Sequence, residues 1–269
     1  FYNGIVVIQM HSIGMYKIRN ILAQCIKDIL GDQLKAVYDK SQATLPYKAA
    51  IEPQNEFLFG KQDEDNIVSE YGNQFQIDFQ EGQKTGFFID QRENRSLLGD
   101  YAKGKKVLNM FCYTGGFSVY ALKGGASKVD SVDSSKKAME LTEKNIELNF
   151  GTTDKHRSIC TDAFRFLDHP EEKYDVIILD PPAFAKHHNV LHNALQGYKK
   201  INHKAISQIK SGGIIFTFSC SQVVNRDQFR KSVFSAAAMA SRQVKILHQL
   251  EQPADHPVDI YHPEGEYLK

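Results

Sequence analysis

The sequence lacks any long apolar run and any strong excess of one charge. No stretch of its 269 residues approaches the ~18 apolar residues of a membrane-spanning helix, and no signal-peptide pattern opens it. Lysine and arginine together number 33 against 32 aspartates and glutamates, which gives a formal net charge of +1. Domains dedicated to nucleic acid are usually much more basic, so the overall charge does not indicate one. We expect a cytoplasmic protein with no membrane partner.

Cysteine is scarce, and the phosphate-binding pattern G-x-G-x-x-G is missing. Cys25, Cys112, Cys160 and Cys220 lie far apart with no C-x-x-C pair, so neither a zinc site nor a disulfide framework is expected. We expect packing roles for the first three, with Cys25 and Cys160 in the core. Because a pyrophosphate would have no evident cradle, the missing glycine pattern argues against a nicotinamide or flavin enzyme.

The sequence pattern of residues 1–80 predicts a small α+β domain. The chain opens at Phe1 rather than Met, and we expect it to be a fragment or a processed form. Apolar residues recur at helical spacing before Gly31, which is typical of an amphipathic helix with a glycine stop. The predicted elements are a strand at 4–11, a helix at 18–30, a strand at 34–38, a loop-rich passage at 45–60, an acidic turn at 63–65, and a hairpin whose arms, 67–71 and 74–79, flank Gly72 and Asn73.

Residues 81–269 predict a second domain in which strands and helices alternate. This order is typical of a doubly wound, mostly parallel α/β sheet. The chain stops inside an apparent strand, so a clipped carboxyl terminus is also expected. Strands are predicted at 107–111, 129–133, 156–160, 174–179, 213–218, 244–250 and from 266, and helices at 94–101, 117–123, 135–149, 163–167, 196–210 and 226–240.

Three consecutive strands of this sheet each end near an aspartate. Asp133, Asp162 and Asp180 close the second, third and fourth strands, and Gly115 and Gly116 follow the first. Parallel α/β sheets bind ligands at the carboxyl ends of their strands, and an acid at the second strand typically accepts hydrogen bonds from ribose hydroxyls. The set predicts a nucleoside-like cofactor without a diphosphate, and S-adenosylmethionine fits that description.

The stretch V-I-I-L-D-P-P-A-F, residues 176–184, predicts a strand buried on both faces that stops abruptly. Pro181 and Pro182 cannot continue the sheet ladder, and they hold the following backbone rigid and extended. Such a loop can present Asp180 and Phe184 to a flat, polar ligand. A strand simply capped by a turn is the alternative for this motif taken alone.

Six stretches make the chain resemble the class I S-adenosylmethionine-dependent RNA methyltransferases, and closely the bacterial 23S (large-subunit) rRNA cytosine-C5 methyltransferase family. Residues 1–80 resemble the family's central domain, which normally follows an RNA-binding PUA domain that this sequence does not contain. The matching stretches are G-Q-K-T-G-F-F-I-D-Q-R (82–92), V-L-N-M-F-C-Y-T-G-G-F (107–117), V-D-S-S (132–135), L-D-P-P-A-F (179–184), T-F-S-C-S (217–221) and A-D-H-P (254–257).

The resemblance implies a Rossmann-like class I fold that binds S-adenosyl-L-methionine. The methionine part of the cofactor would lie against Asn109 and the turn 111–116, its ribose against Asp133, and its adenine beside Asp162. The implied cofactor-binding residues are Gln91, Arg92, Asn109, Phe111, Cys112, Tyr113, Thr114, Gly115, Gly116, Asp133, Ser134, Asp162, Ala163, Phe164 and Asp180.

The resemblance also implies methylation of carbon 5 of a cytosine in 23S rRNA. Carbon 5 becomes nucleophilic enough only after a thiolate adds to carbon 6. The family match puts this nucleophile at Cys220, and a buried structural cysteine is the alternative. Asp180 would hold the pyrimidine edge, while Pro181, Pro182 and Phe184 would contact the base.

Other readings of the sequence stay open. An RNA methyltransferase acting on a purine nitrogen would need no thiol, and a noncatalytic RNA- or ribosome-binding module would need no cofactor. The cluster Lys186, His187, His188 and His192 lacks a supporting acid pattern, so an RNA-facing loop is expected there and no metal. The expected partner is large-subunit rRNA, with a homodimer as an open question.

Overall fold

The computed structural model describes residues 1–46, 52–62, 66–185, 187–262 and 265–269, and these form two compact units. Phe1–Phe88 form the first unit and Ile89–Lys269 the second. The division therefore follows Phe88, whereas the sequence predicted it after residue 80. The expected acidic turn at 63–65 lies outside the described residues.

The first unit combines two helices with a three-stranded sheet and a separate hairpin. The sheet has the order β1-β2-β3, with β1 parallel to β2 and β3 antiparallel to it. Its elements are β1 (Ile5–Ile8), α1 (Ile13–Lys17), α2 (Arg19–Leu30), β2 (Ala36–Asp39), β3 (Glu56–Gly60), β4 (Ile67–Glu70) and β5 (Asn73–Gln76).

Helix α2 ends where its sequence predicts, but the prediction that Cys25 lies on its buried face is wrong. Gly31 stops it with a φ of 52°, a conformation that favours glycine. Ala23 is buried with Ile26 and Leu30 packed around it. Cys25, expected in the core, is exposed, because the helix has more apolar positions than its buried face can accommodate.

The predicted hairpin forms, and the passage predicted to be loop-rich contains a strand. Tyr71 and Gly72 make the turn with φ values of 49° and 75°, one residue before the predicted pair. Two positive φ values in succession match the right-handed twist of the flanking strands. Strand β3 lies inside the 45–60 passage because β2, which is fully buried, needs a hydrogen-bonding neighbour on each side.

The second unit is a five-stranded, entirely parallel sheet flanked by helices, which confirms the doubly wound α/β prediction. The strand order is β10-β9-β6-β7-β8. Its elements are α3 (Arg92–Tyr101), β6 (Lys106–Met110), α4 (Gly116–Lys123), β7 (Lys128–Asp133), α5 (Lys136–Phe150), β8 (His156–Cys160), α6 (Ala163–Asp168), β9 (Val176–Leu179), α7 (Leu191–Gln208), β10 (Ile214–Thr217) and α8 (Arg226–Met239).

Strand β9 lies in the middle of two cores, as its unbroken apolar run predicts. Val176 and Ile178 pack in the core that contains Leu98 of α3, while Ile177 and Leu179 pack in the core that contains Ile201 of α7. The strand order reverses between β9 and β6, because β6 continues to β7 on one side and β9 to β10 on the other. Such a switch point opens a crevice at the carboxyl ends of the strands.

Three predictions for the second unit are wrong. Cys160, expected in the core, is exposed at the end of β8, an edge strand of the sheet. Residues 244–250 and 266–269 form no assigned strand, although β10 is an edge strand of the sheet. Lys269 nevertheless exchanges two backbone hydrogen bonds with Ser219, at 2.8 and 3.0 Å. Among the helices of the described residues, none combines the length and apolarity needed to cross a bilayer.

Asp130, a buried carboxylate in β7, makes a measurable contribution to the free energy of unfolding. Asp130 is 0% exposed and accepts hydrogen bonds from Arg157 Nε at 3.1 Å and Tyr174 Oη at 2.6 Å. We expect Asp130→Ala to lower the free energy of unfolding by about 3 kcal/mol, the low end for breaking a buried pair, because Arg157 can still reach water.

Urea denaturation measures this loss against a matched control. Glu171 pairs with the same Arg157 but is exposed, so we expect Glu171→Ala to cost at most about 1 kcal/mol. Equal losses for the two variants would contradict the assignment of the stability to the buried partner.

Candidate active site

The turn from β6 into α4 has an unusual backbone. Phe111 and Tyr113 adopt positive φ values of 57° and 47°, and Gly115 follows at 76°. A left-handed conformation costs a residue other than glycine roughly 1–3 kcal/mol, and it persists only where the surroundings enforce it. This turn is therefore held by its neighbours rather than by local preference.

Helix α5 supplies much of that support. Thr142 Oγ1 donates to the Tyr113 carbonyl at 2.8 Å, and Asn145 Nδ2 donates to the Thr114 carbonyl at 2.9 Å. A Cβ atom on Gly115 would lie 2.7 Å from Thr142 Cγ2, so glycine is required there by packing as well as by φ. The turn and α5 therefore form one fitted unit.

Two backbone N–H groups orient the carboxylate of Asp133 next to this turn. Its Oδ2 accepts from the Tyr113 N–H at 3.0 Å and its Oδ1 from the Ser135 N–H at 2.9 Å. The side chain is half-buried, and each carboxylate oxygen keeps a further lone pair. Asp133 can thus accept hydrogen bonds from a pair of ribose hydroxyls, while the neighbouring Ser134 is exposed.

Asn109, at the end of β6, is buried with one atom unsatisfied. Its Nδ2 donates to Ser118 Oγ at 2.9 Å, which begins a hydrogen-bonded chain through Ser131 to His156. Burial lowers the pKa of His156 to about 4, so its imidazole is neutral. Asn109 Oδ1 has no hydrogen-bond partner within the described residues, and such a buried acceptor costs about 1–3 kcal/mol. A ligand carrying an ammonium group would satisfy it.

The aspartate that follows β8, Asp162, has a structural role of its own. Asp162 is exposed and caps α6 by accepting the Arg165 N–H at 2.9 Å. Ala163 is buried behind it and Phe164 is half-buried. A hydrogen bond from the 6-amino group of an adenine could reach the other carboxylate oxygen of Asp162.

The motif that precedes α3 contacts the D-P-P loop. Gln91 is buried, and its Nε2 donates to Asp180 Oδ2 at 3.0 Å while its Oε1 accepts from Asn94 Nδ2 at 2.7 Å. Because the second bond fixes which way the amide faces, Gln91 can offer Asp180 only a donor. Asp180 is half-buried and is thereby oriented as an acceptor.

Arg92 gives the A-D-H-P stretch a role that sequence reasoning did not find. Its guanidinium makes a two-pronged pair with Asp255, at 2.9 and 3.2 Å. This hydrogen bonding, aided by His256, holds the pKa of Asp255 below its usual range. In the sequence, the only indication of this pair is that Arg92 and Asp255 have side chains of opposite charge.

Cys220 lies beside the D-P-P loop, at the predicted edge of the sheet. Its Sγ is 3.9 Å from the Pro181 carbonyl oxygen, and Ser221 Oγ donates to the Ala185 carbonyl at 2.7 Å. The loop after β10 therefore lies along residues 181–185. Cys220 is half-buried, whereas Cys112 is buried between Met139 and Thr142, and burial raises the pKa of the Cys112 thiol. The expected packing role of Cys112 is confirmed.

The ring of Phe184 is seated on α7. It lies 4.7 Å from the Tyr198 ring and 6.3 Å from the Phe164 ring, measured between centroids. A Cβ atom on Gly197 would come within 2.9 Å of Phe184 Cδ2, so that glycine makes room for the ring. Pro181 is buried and Pro182 exposed, which leaves one face of the loop open.

Two tyrosines near Cys220 carry no signal in the sequence. Tyr198 is fully buried, and its hydroxyl accepts from Ser219 Oγ at 3.0 Å. Tyr267 Oη donates to Asp90 Oδ2 at 2.5 Å. Both approach the site from positions distant in sequence, one in the middle of α7 and one near residue 269, so spacing could not predict them.

The histidine cluster is only partly described. Lys186 and the His188 side chain lie outside the described part, while His187 and His192 are exposed. Within the part of the chain that the structure describes, no group of three or more His, Cys, Asp or Glu side chains could hold a metal ion.

The described residues fit S-adenosylmethionine. The unsatisfied Asn109 oxygen suits its ammonium group, the oriented Asp133 carboxylate suits its ribose, and the Asp162 edge suits its adenine. Asn109 lies in β6, Asp133 ends β7 and Asp162 follows β8, and these three strands are adjacent in the sheet. The three residues trace one path along the carboxyl edge on one side of the switch point, and Asp180 with Cys220 lies on the other.

Comparisons with known proteins agree with this fit. Residues 21–264 match the family described as S-adenosylmethionine-dependent methyltransferase. The chain is 38% identical to ribosomal RNA large subunit methyltransferase I of Aeromonas hydrophila and 40% identical to that of Tolumonas auensis. In both comparisons all of this chain is covered, against 68% of the relative.

The fold is shared with solved structures. A candidate methyltransferase of Streptococcus mutans superposes with a TM-score of 0.85 at 24% identity, over 99% of this chain and 68% of that one. A candidate methyltransferase crystallised with SAH gives the same TM-score and coverage at 25% identity. The chain therefore belongs to the S-adenosylmethionine-dependent methyltransferases, in the family that includes the ribosomal RNA large subunit methyltransferases I, and its cofactor is S-adenosylmethionine.

Proposed function

We propose that the chain methylates carbon 5 of a cytosine in 23S rRNA, the large-subunit rRNA. The substrate class follows the names of relatives that are 38–40% identical over the whole chain. One observation carries the choice of cytosine carbon 5: the half-buried Cys220 thiol is 3.9 Å from the Pro181 carbonyl, next to Asp180. A nitrogen-methylating enzyme has no use for a thiol at that place.

Cys220 would act as a covalent nucleophile. Its thiolate forms a bond to carbon 6 of the cytosine, and the electron pair of the 5,6 double bond moves to carbon 5. Bound S-adenosylmethionine would supply an electrophilic methyl group to carbon 5, and the sulfur–methyl bond would break with its electron pair left on the sulfur of the demethylated, neutral thioether product. A base then takes the carbon-5 proton, the double bond re-forms, and the carbon–sulfur bond breaks to return the thiolate.

Asp180 would hold the cytosine during this sequence. Gln91 Nε2 donates to Oδ2 and so orients the carboxylate, which would accept from the polar edge of the pyrimidine. A carboxylate at that edge also favours its protonation as the thiolate adds. Phe184, Pro181 and Pro182 would contact the faces of the base, with Phe184 braced by Tyr198.

The cofactor would be held by residues at the carboxyl ends of β6, β7 and β8. Asn109 and the turn 111–116 would receive the methionine part, and Asp133 with Ser134 the ribose. Asp162, Ala163 and Phe164 would surround the adenine, and Gln91, Arg92 and Asp180 would bound the pocket on the side of the base.

A labelling experiment tests the function directly. The protein is incubated with unmodified 23S rRNA and S-adenosylmethionine carrying a labelled methyl group, and the RNA is digested to nucleosides for mass spectrometry. We expect the label in 5-methylcytidine. Label in a methylated purine would replace the proposal with the nitrogen-methylating alternative, and cofactor binding without any transfer would favour a noncatalytic module.

A homodimer stays an open question. Sedimentation equilibrium of the purified chain over a range of concentrations measures the mass, and a mass of 30.5 kDa throughout would identify a monomer.

A further inference from the structure

The last described residue of the chain flanks the proposed nucleophile on both sides. The Ser219 N–H donates to the Lys269 carbonyl at 2.8 Å, and the Lys269 N–H donates to the Ser219 carbonyl at 3.0 Å. The Lys269 ammonium then reaches past Cys220 and donates to the Ser221 carbonyl at 3.0 Å. Backbone and side chain of Lys269 thus hold the residues before and after Cys220.

The Lys269 side chain is an unusual buried cation. The residue is only 7% exposed, and lysine is almost never this buried without a charged partner. Its Nζ makes a second hydrogen bond to the Tyr267 carbonyl at 3.0 Å. Two of three ammonium hydrogens are thereby used, and no described residue supplies an acceptor for the third. Both acceptors are neutral carbonyls, so the positive charge has no carboxylate hydrogen-bonded to it within the described chain.

Charged groups on several elements act on Lys269 and Cys220, and one further cation, Arg226, is among the described ones. Burial lowers the pKa of Lys269, while Glu266 and a Cys220 thiolate raise it and Arg226 lowers it further. On the other elements, burial raises the pKa of Tyr198 to about 12 and also raises the pKa of Tyr267, so both phenols are neutral. Asp180 begins the D-P-P loop whose Pro181 carbonyl contacts Cys220.

One contact of the site involves the protonated form of Cys220. Its Sγ donates to the Pro181 carbonyl at 3.9 Å, which a thiolate cannot do. The Lys269 ammonium, held by the Ser221 carbonyl of the next residue, opposes this effect, because a nearby opposite charge favours the ionised form.

We propose that Lys269 is a positioning residue that stabilises the thiolate of Cys220 and so prepares it for attack. The inference rests on the proposed function for its role in turnover, but the electrostatic pairing of the two side chains does not depend on the RNA substrate. Lys269 acts through Cys220 and need not touch the base.

The pH dependence of Cys220 alkylation tests the pairing. Full-length protein is treated with iodoacetamide across a pH series, and the peptide carrying Cys220 is quantified by mass spectrometry. Lys269→Gln keeps donors for the Ser221 and Tyr267 carbonyls but removes the charge, and we expect the pH of half-maximal alkylation to rise by about one unit. Lys269→Arg keeps the charge and should leave the profile near that of the wild type. The exposed Cys25 and Cys160 serve as internal references, whose profiles should not move.

The outcomes separate the inference from the proposed function. An unchanged Cys220 profile in Lys269→Gln would overturn the inference, and so would an equal shift in Lys269→Arg, since it would mean that shape rather than charge matters. Calorimetric titration with S-adenosylmethionine shows that each variant is folded, and Lys231→Met, on an exposed lysine of α8, controls for general loss of charge. If methylation proves independent of Cys220, the proposed function fails whatever the alkylation profile shows.

Turnover gives a second readout. We expect Lys269→Gln to lower kcat roughly tenfold at neutral pH, because a pKa one unit higher leaves about a tenth as much thiolate at Cys220. The kcat of the variant should recover as the pH rises. A loss that does not recover at high pH would mean a structural role and would overturn the inference.

Discussion

Cys220→Ala is expected to abolish methylation while leaving S-adenosylmethionine binding unchanged. Removing a covalent nucleophile from an enzyme commonly costs four or more orders of magnitude in kcat, and we expect a loss of about that size here. Cofactor affinity should survive, because most of the residues proposed to hold the cofactor lie at the carboxyl ends of β6, β7 and β8, whereas Cys220 follows the edge strand β10. Transfer of labelled methyl groups to 23S rRNA, together with calorimetric titration, measures both quantities.

The chain offers a matched control for this variant. Cys160 is an exposed cysteine at the end of β8, so Cys160→Ala makes the same chemical change away from the D-P-P loop and should retain activity. Cys220→Ser is expected to be as inactive as Cys220→Ala, since a hydroxyl is far less acidic than a thiol. Wild-type rates in Cys220→Ala would eliminate the covalent mechanism and leave methylation of a purine nitrogen as the better hypothesis.

Asp133→Ala is expected to weaken S-adenosylmethionine binding by at least about 100-fold. A carboxylate that accepts two ribose hydroxyls contributes two charge-assisted hydrogen bonds, each worth about 1.5–3 kcal/mol. The variant also removes the acceptor for the Tyr113 N–H, and this loosens a turn whose backbone is already strained. Isothermal titration with S-adenosylmethionine and with its demethylated product measures the loss, and thermal unfolding shows whether the variant is folded.

Asp162→Asn is the comparison for this variant. Asparagine caps a helix as well as aspartate does, so α6 should be unaffected and the effect on affinity should stay below about tenfold. If Asp133→Ala binds as tightly as the wild type, the ribose does not lie on Asp133. If Asp162→Asn is the weaker binder of the two, the order of ribose and adenine along the sheet edge is reversed.

The sequence was most informative where one pattern had only one physical solution. The apolar run 176–179 has no polar face, so β9 had to be buried on both sides, and its carboxyl end had to meet those of its parallel neighbours. Asp133, Asp162 and Asp180 could therefore be placed at one edge before any coordinates were known. Gly115 was predicted for its turn, but not for the 2.7 Å approach of Thr142 that also requires it.

The failures share a cause. Periodicity says how a helix could be buried but not which of two apolar faces finds a partner, and Cys25 fell on the wrong one. Strand propensity over 244–250 is a local property, and it could not reveal that this segment does not join an edge of the sheet. The roles of Tyr198 and Lys269 come from contacts across 21 and 48 positions of sequence, to Ser219 and Ser221 respectively, which no local pattern encodes.

The turn between β6 and α4 has a consequence for how the cofactor is recognised. The Cys112 N–H already donates to the Val132 carbonyl, the Tyr113 N–H to the Asp133 carboxylate, and the Gly115 N–H to the Cys112 carbonyl. The carbonyls of Tyr113 and Thr114 accept from side chains of α5. The entropy of ordering this loop is therefore lost during folding and not during binding. If the turn holds the cofactor as proposed, we expect a bulkier sulfonium analogue to bind more weakly, because a loop fixed by these hydrogen bonds cannot move aside for it.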